Sequence, residues 1–294
     1  MANLKDIKRK IKSVNNTKKT TRAMKLVSTA KLKRAEEVAK RSREYANKIN
    51  EMLSEIASRI NKFKVGGTTS RFFEPIENPK VVDIVFITAD KGLCGGFNIQ
   101  TIKRVNTLID EFKQKGSKVR LRAVGRKGID FFNFKGMELY TKDIGVSSSP
   151  TYEKAQEIIL KVIEDFSTSQ SDKIILVHNG YKNMITQELR QVDLAPVDIS
   201  NIKSDDNESM MEIESENEEK ILDELIKKYF EYNMYYALID SLAAEHSARM
   251  QAMDNATKNA SQRVDELTIL YNKARQEAIT TELIEIISGM EALK

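Results

Sequence analysis

The chain of 294 residues has one cysteine, Cys94, no tryptophan, two histidines and only four prolines. A single thiol excludes an intrachain disulfide and a cysteine-rich metal site. His178 and His246 stand far apart, and no metal-ligand spacing accompanies either. Glycine and proline are missing from both ends. All 4 Pro lie between Pro75 and Pro196, 11 of the 12 Gly lie between Gly66 and Gly180, and the last is Gly289. Residues 1–65 and 197–288 therefore lack the two residue types that most disfavour a helix interior, by about 1 kcal/mol for Gly and about 3 kcal/mol for Pro. Long apolar runs are absent too. Val81 to Ile87 is the longest, it is interrupted by Asp83, and it is too short to span a bilayer. The first ten residues contain no apolar stretch of the signal-peptide kind, so a cytoplasmic chain is expected.

What is present at the ends is heptad periodicity. Alternating steps of three and four from Leu4 reach Ile7, Ile11, Val14, Lys18, Thr21, Lys25, Ser28, Leu32, Ala35, Ala39, Ser42, Ala46, Ile49, Leu53, Ile56, Ile60 and Phe63. The register never breaks, and it predicts a coiled-coil seam. The seam turns polar from Lys18 to Ser28. A second seam runs from Leu222 through Leu225, Tyr229, Tyr232, Tyr236, Ile239, Ala243, His246, Met250, Met253, Thr257, Ala260, Val264, Leu267, Tyr271 and Ala274 to Ala278. Beyond it, Thr281 and Glu285 fall on seam positions. The apolar face moves to Ile279, Leu283, Ile286 and Met290, as expected if the last turns meet a different partner. His246 on the seam reads as a core histidine with a hydrogen-bond partner. Each stripe alone would be exposed apolar surface, so an antiparallel coiled coil within one chain is the economical arrangement. Periodicity by itself also admits a parallel homodimer.

Charge is distributed unevenly. Residues 1–64 hold 19 Lys/Arg against 6 Asp/Glu, whereas residues 198–224 hold 11 acidic and 2 basic residues. A basic helix suits nucleic acid, an anionic membrane or acidic protein loops. Nucleic-acid binding is the rival reading, beside a scaffold. It predicts stacking aromatics among the basic residues, yet Tyr45 and Phe63 are the only aromatics before residue 65.

The centre alternates strand and helix patterns. Strands are expected at Lys80–Ala89, Lys118–Val124, around Met137–Tyr140 and at Lys173–His178, with a further or edge strand at Asn183–Val192. Helices are expected at Asn98–Lys115, about Lys127–Asn133 and Thr151–Phe166, the last opened by Ser149-Pro150-Thr151. This order implies a small, mostly parallel α/β domain of Rossmann-like type. The organisation expected is a coiled-coil helix at 1–65, a linker at 66–79, the α/β domain at 80–200, an acidic connector at 201–219 and a second coiled-coil helix at 220–294. Gly92-Leu93-Cys94-Gly95-Gly96 joins the first strand to a helix, where a loop could cradle phosphate. It has neither the dinucleotide-binding nor the P-loop spacing, so a tight strand-to-helix turn is expected. No triad or carboxylate pair stands out, and no cofactor or catalytic site is expected.

Three motifs carry a resemblance: Thr20-Thr21-Arg22-Ala23-Met24-Lys25-Leu26-Val27-Ser28; Thr88-Ala89-Asp90-Lys91-Gly92-Leu93-Cys94-Gly95-Gly96-Phe97-Asn98; and Glu245 to Ala260 followed by Tyr271 to Ile286. Together they resemble, from end to end, the gamma subunit of the F-type ATP synthase. The resemblance implies a central rotor shaft that is not itself catalytic. It carries torque between a membrane c-ring driven by protons and the catalytic alpha and beta subunits, with an epsilon subunit as further partner. It implies attachment to the cytoplasmic face of the inner membrane only through the complex. Carried over by position, Met24 and Lys25 match the region facing the beta lever, and under this resemblance the polar turns from Lys18 to Ser28 are expected to face another subunit. Arg249, Arg275, Gln276 and Thr280 match contacts to a beta catch loop, and Lys91 matches a basic residue near the same beta domain. Ala89 stands where the family usually has Ser. The aromatic-Pro pattern common in the family before the second helix is absent.

Overall fold

The computed structural model describes residues 4–63, 71–74, 76–197 and 218–291. The expected acidic connector lies outside the described residues apart from its last two positions. Two long helices, α1 (Leu4–Phe63) and α5 (Glu218–Glu291), enclose in sequence β1 (Val81–Ile87), α2 (Phe97–Gln114), β2 (Lys118–Val124), α3 (Arg126–Phe134), β3 (Thr141–Asp143), α4 (Tyr152–Ser167), β4 (Lys173–Tyr181) and β5 (Gln187–Ala195). By contacts the chain divides into two compact units. One comprises residues 1–29 with 249–294, the other residues 30–248. Each long helix contributes to both.

In the larger unit the sheet order is β3-β2-β1-β4-β5. β1 pairs in parallel with β2 and β4, β2 pairs in parallel with β3, and β5 returns antiparallel to β4. The third strand lies slightly later than expected, because Met137 and Tyr140 spend their amides on Phe132 and Leu121 carbonyls in the turn that leaves α3. Both faces of the sheet are covered, so its central strands read as near-continuous apolar runs. Val82, Ile84 and Phe86 meet α2 and α3 on one side. Val85 and Ile87 meet α4, α1 and α5 on the other, where Leu53, Phe166, Phe230 and Met234 are buried. Phe72 and Phe73, in the segment expected as a linker, are buried in that same layer. Thr151 caps α4 by accepting the Lys154 amide.

Within the α4 side lies a buried ionic knot. Asp83 on β1 is fully buried, and Arg120 and Arg122 on β2 converge on it and on Asp165 of α4. Both guanidinium groups stack on Tyr140. A buried carboxylate is tolerable only when so paired. Glu231 on α5 is handled likewise, accepting from Tyr152, Gln156 and Lys228. Burial pushes its pKa up, but these donors outweigh burial and hold it below the usual carboxylate range.

The heptad seams survive in detail. From Leu4 to Leu53 every seam position of α1 is buried or half-buried. On α5 the same holds from Leu225 to Ala278, and every residue from 279 to 291 is exposed. Residues 226–249 of α5 carry more than a seam. Phe230, Met234, Ala237, Leu238, Asp240, Ala244 and Ala248 are buried as well, because this stretch packs against both α1 and the sheet.

Candidate functional site

In the smaller unit, the polar break in the seam is answered by polar groups on the facing helix. Lys18 Nζ donates to Ser261 Oγ at 2.9 Å, the Thr21 and Thr257 hydroxyls bond at 2.7 Å, and Lys25 Nζ meets Asp254 Oδ1 at 2.6 Å. Rising numbers on α1 meet falling numbers on α5, so the helices run antiparallel. Thr21 and Ser28 are buried. The expectation that these turns face another subunit is therefore corrected for the seam itself, since the polar side chains find partners inside the chain. A buried hydroxyl that found none would cost more than an apolar pair gains, and a polar rung also fixes the register of a coiled coil.

Met24, beside this ladder, is half-buried, and Lys25 is half-exposed while holding Asp254. Lys258 also reaches Asp254, at 2.9 Å. The Lys25 and Lys258 ammonium groups hold the Asp254 carboxyl below its ordinary range. Arg249 is buried and engaged within the chain. Arg275, Gln276 and Thr280 are exposed. Gln276 and Thr280 line a shallow surface hollow with Lys273, Glu277 and Thr281. Past Ala278 the apolar side chains of Ile279, Leu283, Ile284, Ile286, Ile287 and Met290 are all exposed. A surface of that kind marks an interaction site.

Lys91 belongs to the larger unit and is exposed there. Its loop is a folded joint. The Asp90 carboxylate Oδ1 accepts from the Arg126 amide at 3.0 Å and the Gly145 amide at 3.2 Å. Burial pushes the Asp90 pKa up, but these amides and nearby hydroxyls prevail and hold it below its usual value. One helix amide, that of Arg126 at the start of α3, and the Gly145 loop amide are thus taken by a carboxylate of the chain itself. Ala89, in the place of the family's Ser, donates its amide to Asn98 Oδ1 at 2.8 Å, and Asn98 Nδ2 reaches the buried Cys94 Sγ at 3.2 Å. Neither histidine is near this loop in sequence. His178 pairs instead with Asp240, and His246 is buried on α5. Among the described residues no group of three or more His, Cys, Asp and Glu could hold a metal ion, and no helix is long and apolar enough to cross a membrane.

A family model described as ATP synthase matches residues 3–293. The ATP synthase gamma chain of Campylobacter concisus is 66% identical over 295 residues, covering 100% of both chains. The gamma chain of Nitratiruptor sp. is 65% identical over 294 residues, again covering 100% of both. This chain belongs to the ATP synthase gamma-chain family. The gamma chain is a subunit of a membrane-bound rotary ATP synthase, and its part there is that of the rotor shaft. Solved structures agree in fold. A chain of the Euglena gracilis mitochondrial ATP synthase superposes with a TM-score of 0.66 at 18% identity, covering 99% of this chain and 94% of that one. A chain of the Tetrahymena thermophila mitochondrial ATP synthase central stalk gives 0.59 at 23%, covering 81% and 99%. The rotor role does not draw on nucleic-acid binding.

The motif residues of the gamma-chain family were legible in the sequence, whereas Asp254, Thr257 and Ser261 as ladder partners were not. Thr257 lay on the predicted seam, and a search for polar residues facing Lys18, Thr21 and Lys25 would have found it.

Proposed function

We propose that this gamma chain turns inside a ring of alpha and beta subunits and has no catalytic site of its own. Met24, Lys25, Lys91, Arg249, Arg275, Gln276 and Thr280 are its contacts to the beta subunits. An epsilon subunit and the membrane c-ring bind the same shaft. The coupling ion is the proton, and the complex sits on the cytoplasmic face of the inner membrane, which this chain meets only through its partners. In domain terms, residues 1–65 and 220–294 form the shaft, and residues 80–200 form its α/β collar.

One observation carries the reading. The last turns of α5, from residue 279 to 291, are exposed all round and carry six large apolar side chains. An apolar bearing supplied by a surrounding ring would bury them. Each is worth about 1.5–3 kcal/mol on full burial. Gly92–Gly96 has neither the dinucleotide-binding nor the P-loop spacing, which supports a non-catalytic chain.

The test is reconstitution. The full chain, added to alpha, beta, epsilon and the membrane sector in vesicles, should restore ATP-driven proton uptake. ATPase activity of the chain alone, or tight retention on DNA in place of the alpha and beta subunits, would contradict the reading.

A further inference from the structure

A single carboxylate on α5 grips both strands of the β4–β5 hairpin. Asp240 Oδ2 accepts from Arg190 Nη1 on β5 at 2.7 Å and lies 3.1 Å from His178 Nε2 on β4. Its Oδ1 accepts the Tyr181 amide, at the end of β4, at 3.1 Å. Asp240 and His178 are both buried. Arg190 is braced in turn by the Tyr236 hydroxyl at 2.6 Å, one turn earlier on α5. Two turns later, Ser247 donates to the Met184 carbonyl at 2.9 Å and receives Gln187 Nε2 at 2.9 Å. Positions 236, 240 and 247 fall on one helix face. The strand approaches so closely that a Cβ at Gly180 would stand 2.5 Å from Asp240 Oδ2 and would also strike Arg190 Nε. This arrangement belongs to no motif in the sequence, and the family reading assigns it nothing.

Apolar packing resists separation but is non-directional, so two smooth faces can slide. Charge-assisted hydrogen bonds have fixed lengths and angles, and three on one carboxylate hold the strands at one register on the helix. We propose that Asp240 is the positioning residue that locks the central sheet to the shaft helix, so that the two turn as one body. The inference rests on the rotor reading. If membrane-side partners grip the sheet while catalytic subunits press on the helix, the torque between them crosses this junction.

The test uses the assembled complex in vesicles, with wild-type chain, Asp240→Asn and Arg190→Lys. Asp240→Asn keeps the side-chain shape but leaves the Arg190 charge without its counter-ion. Loosening the junction should lower the protons pumped per ATP hydrolysed while the hydrolysis rate holds, because the charge-assisted grip on the sheet is weakened and the catalytic subunits are untouched. Arg190→Lys, which keeps the charge but not the fork, should fall between that variant and the wild type. Amide exchange at Tyr181 should speed up in both. A merely stabilising role would lower hydrolysis and pumping together. An unchanged ratio in Arg190→Lys, with Asp240→Asn either assembled and coupled or unable to assemble, overturns the inference. Failure of the wild-type chain itself to support pumping overturns the rotor reading instead.

Discussion

Lys25 Nζ lies 2.6 Å from Asp254 Oδ1, across the coil and 229 residues later in the chain. Lys25 stands on its seam and Asp254 beside the facing one, yet both side chains stay about a third exposed. It therefore sets register more than it stabilises, since ion pairs in contact with water are screened. Asp254→Asn should leave the helices paired at neutral pH. The depressed Asp254 pKa means that its contribution is present above the ordinary carboxylate pKa and is lost as pH falls through the lower, folded value. Circular dichroism of the full chain between neutral and acid pH, at low and at about 1 M salt, should show an acid- and salt-sensitive component that is absent from the variant. Identical curves for the two proteins would contradict it.

Thr21→Val should cost stability although it makes the seam more apolar. The Thr257 hydroxyl would lose its 2.7 Å partner in a partly buried site while keeping its bond to the Met253 carbonyl. A loss of about 1 kcal/mol is expected in denaturant unfolding. The double variant with Thr257→Val should recover part of it, because removing both partners leaves nothing unpaired. A stabilised single variant would show that the rung is not holding the coil.

Asp90→Ala should uncap α3 and destabilise the larger unit by about 1 kcal/mol. Asp90 titrates below its ordinary value in the folded chain. The wild-type advantage should therefore be full above the unfolded pKa and fade as pH drops below it. Stability of the two proteins measured from neutral to acid pH should converge at the acid end, and a gap independent of pH would count against the capping role.

Ile286→Ser and Met290→Ser touch only exposed side chains. Unfolding of the chain should shift by no more than about 0.5 kcal/mol, whereas Phe230→Ala, which empties a fully buried ring site, should cost about 3–5 kcal/mol. In the assembled complex the same Ser variants should slow rotation observed by a bead on the shaft. Unaltered rotation would mean that no partner covers those turns.

Much of this was readable from spacing alone. Leu4 to Leu53 and Leu225 to Ala278 kept their register, because a heptad repeat depends on positions within one helix and needs no knowledge of the rest of the chain. The phase loss after Ala278 was visible for the same reason. The strand-helix alternation of the centre was visible through its apolar runs, with β3 displaced by a few residues. Less visible was the second buried face of α5, where Phe230, Met234, Asp240 and Ala248 look like ordinary helix positions until the sheet arrives against them. Nor does anything local mark Phe72 and Phe73 as core rather than linker.

The order of residues by itself determined two long helices, their seams, the α/β centre and the family motifs, because each of these is written in short-range periodicity or in contiguous residues. Only the tertiary structure decided that Lys18, Thr21 and Lys25 spend their polar groups on Ser261, Thr257 and Asp254, and that Asp240 holds His178, Arg190 and the Tyr181 amide. Those pairings join residues tens to hundreds of positions apart. A buried polar atom takes whichever partner the packed elements bring within bonding distance, and no local pattern encodes that distance.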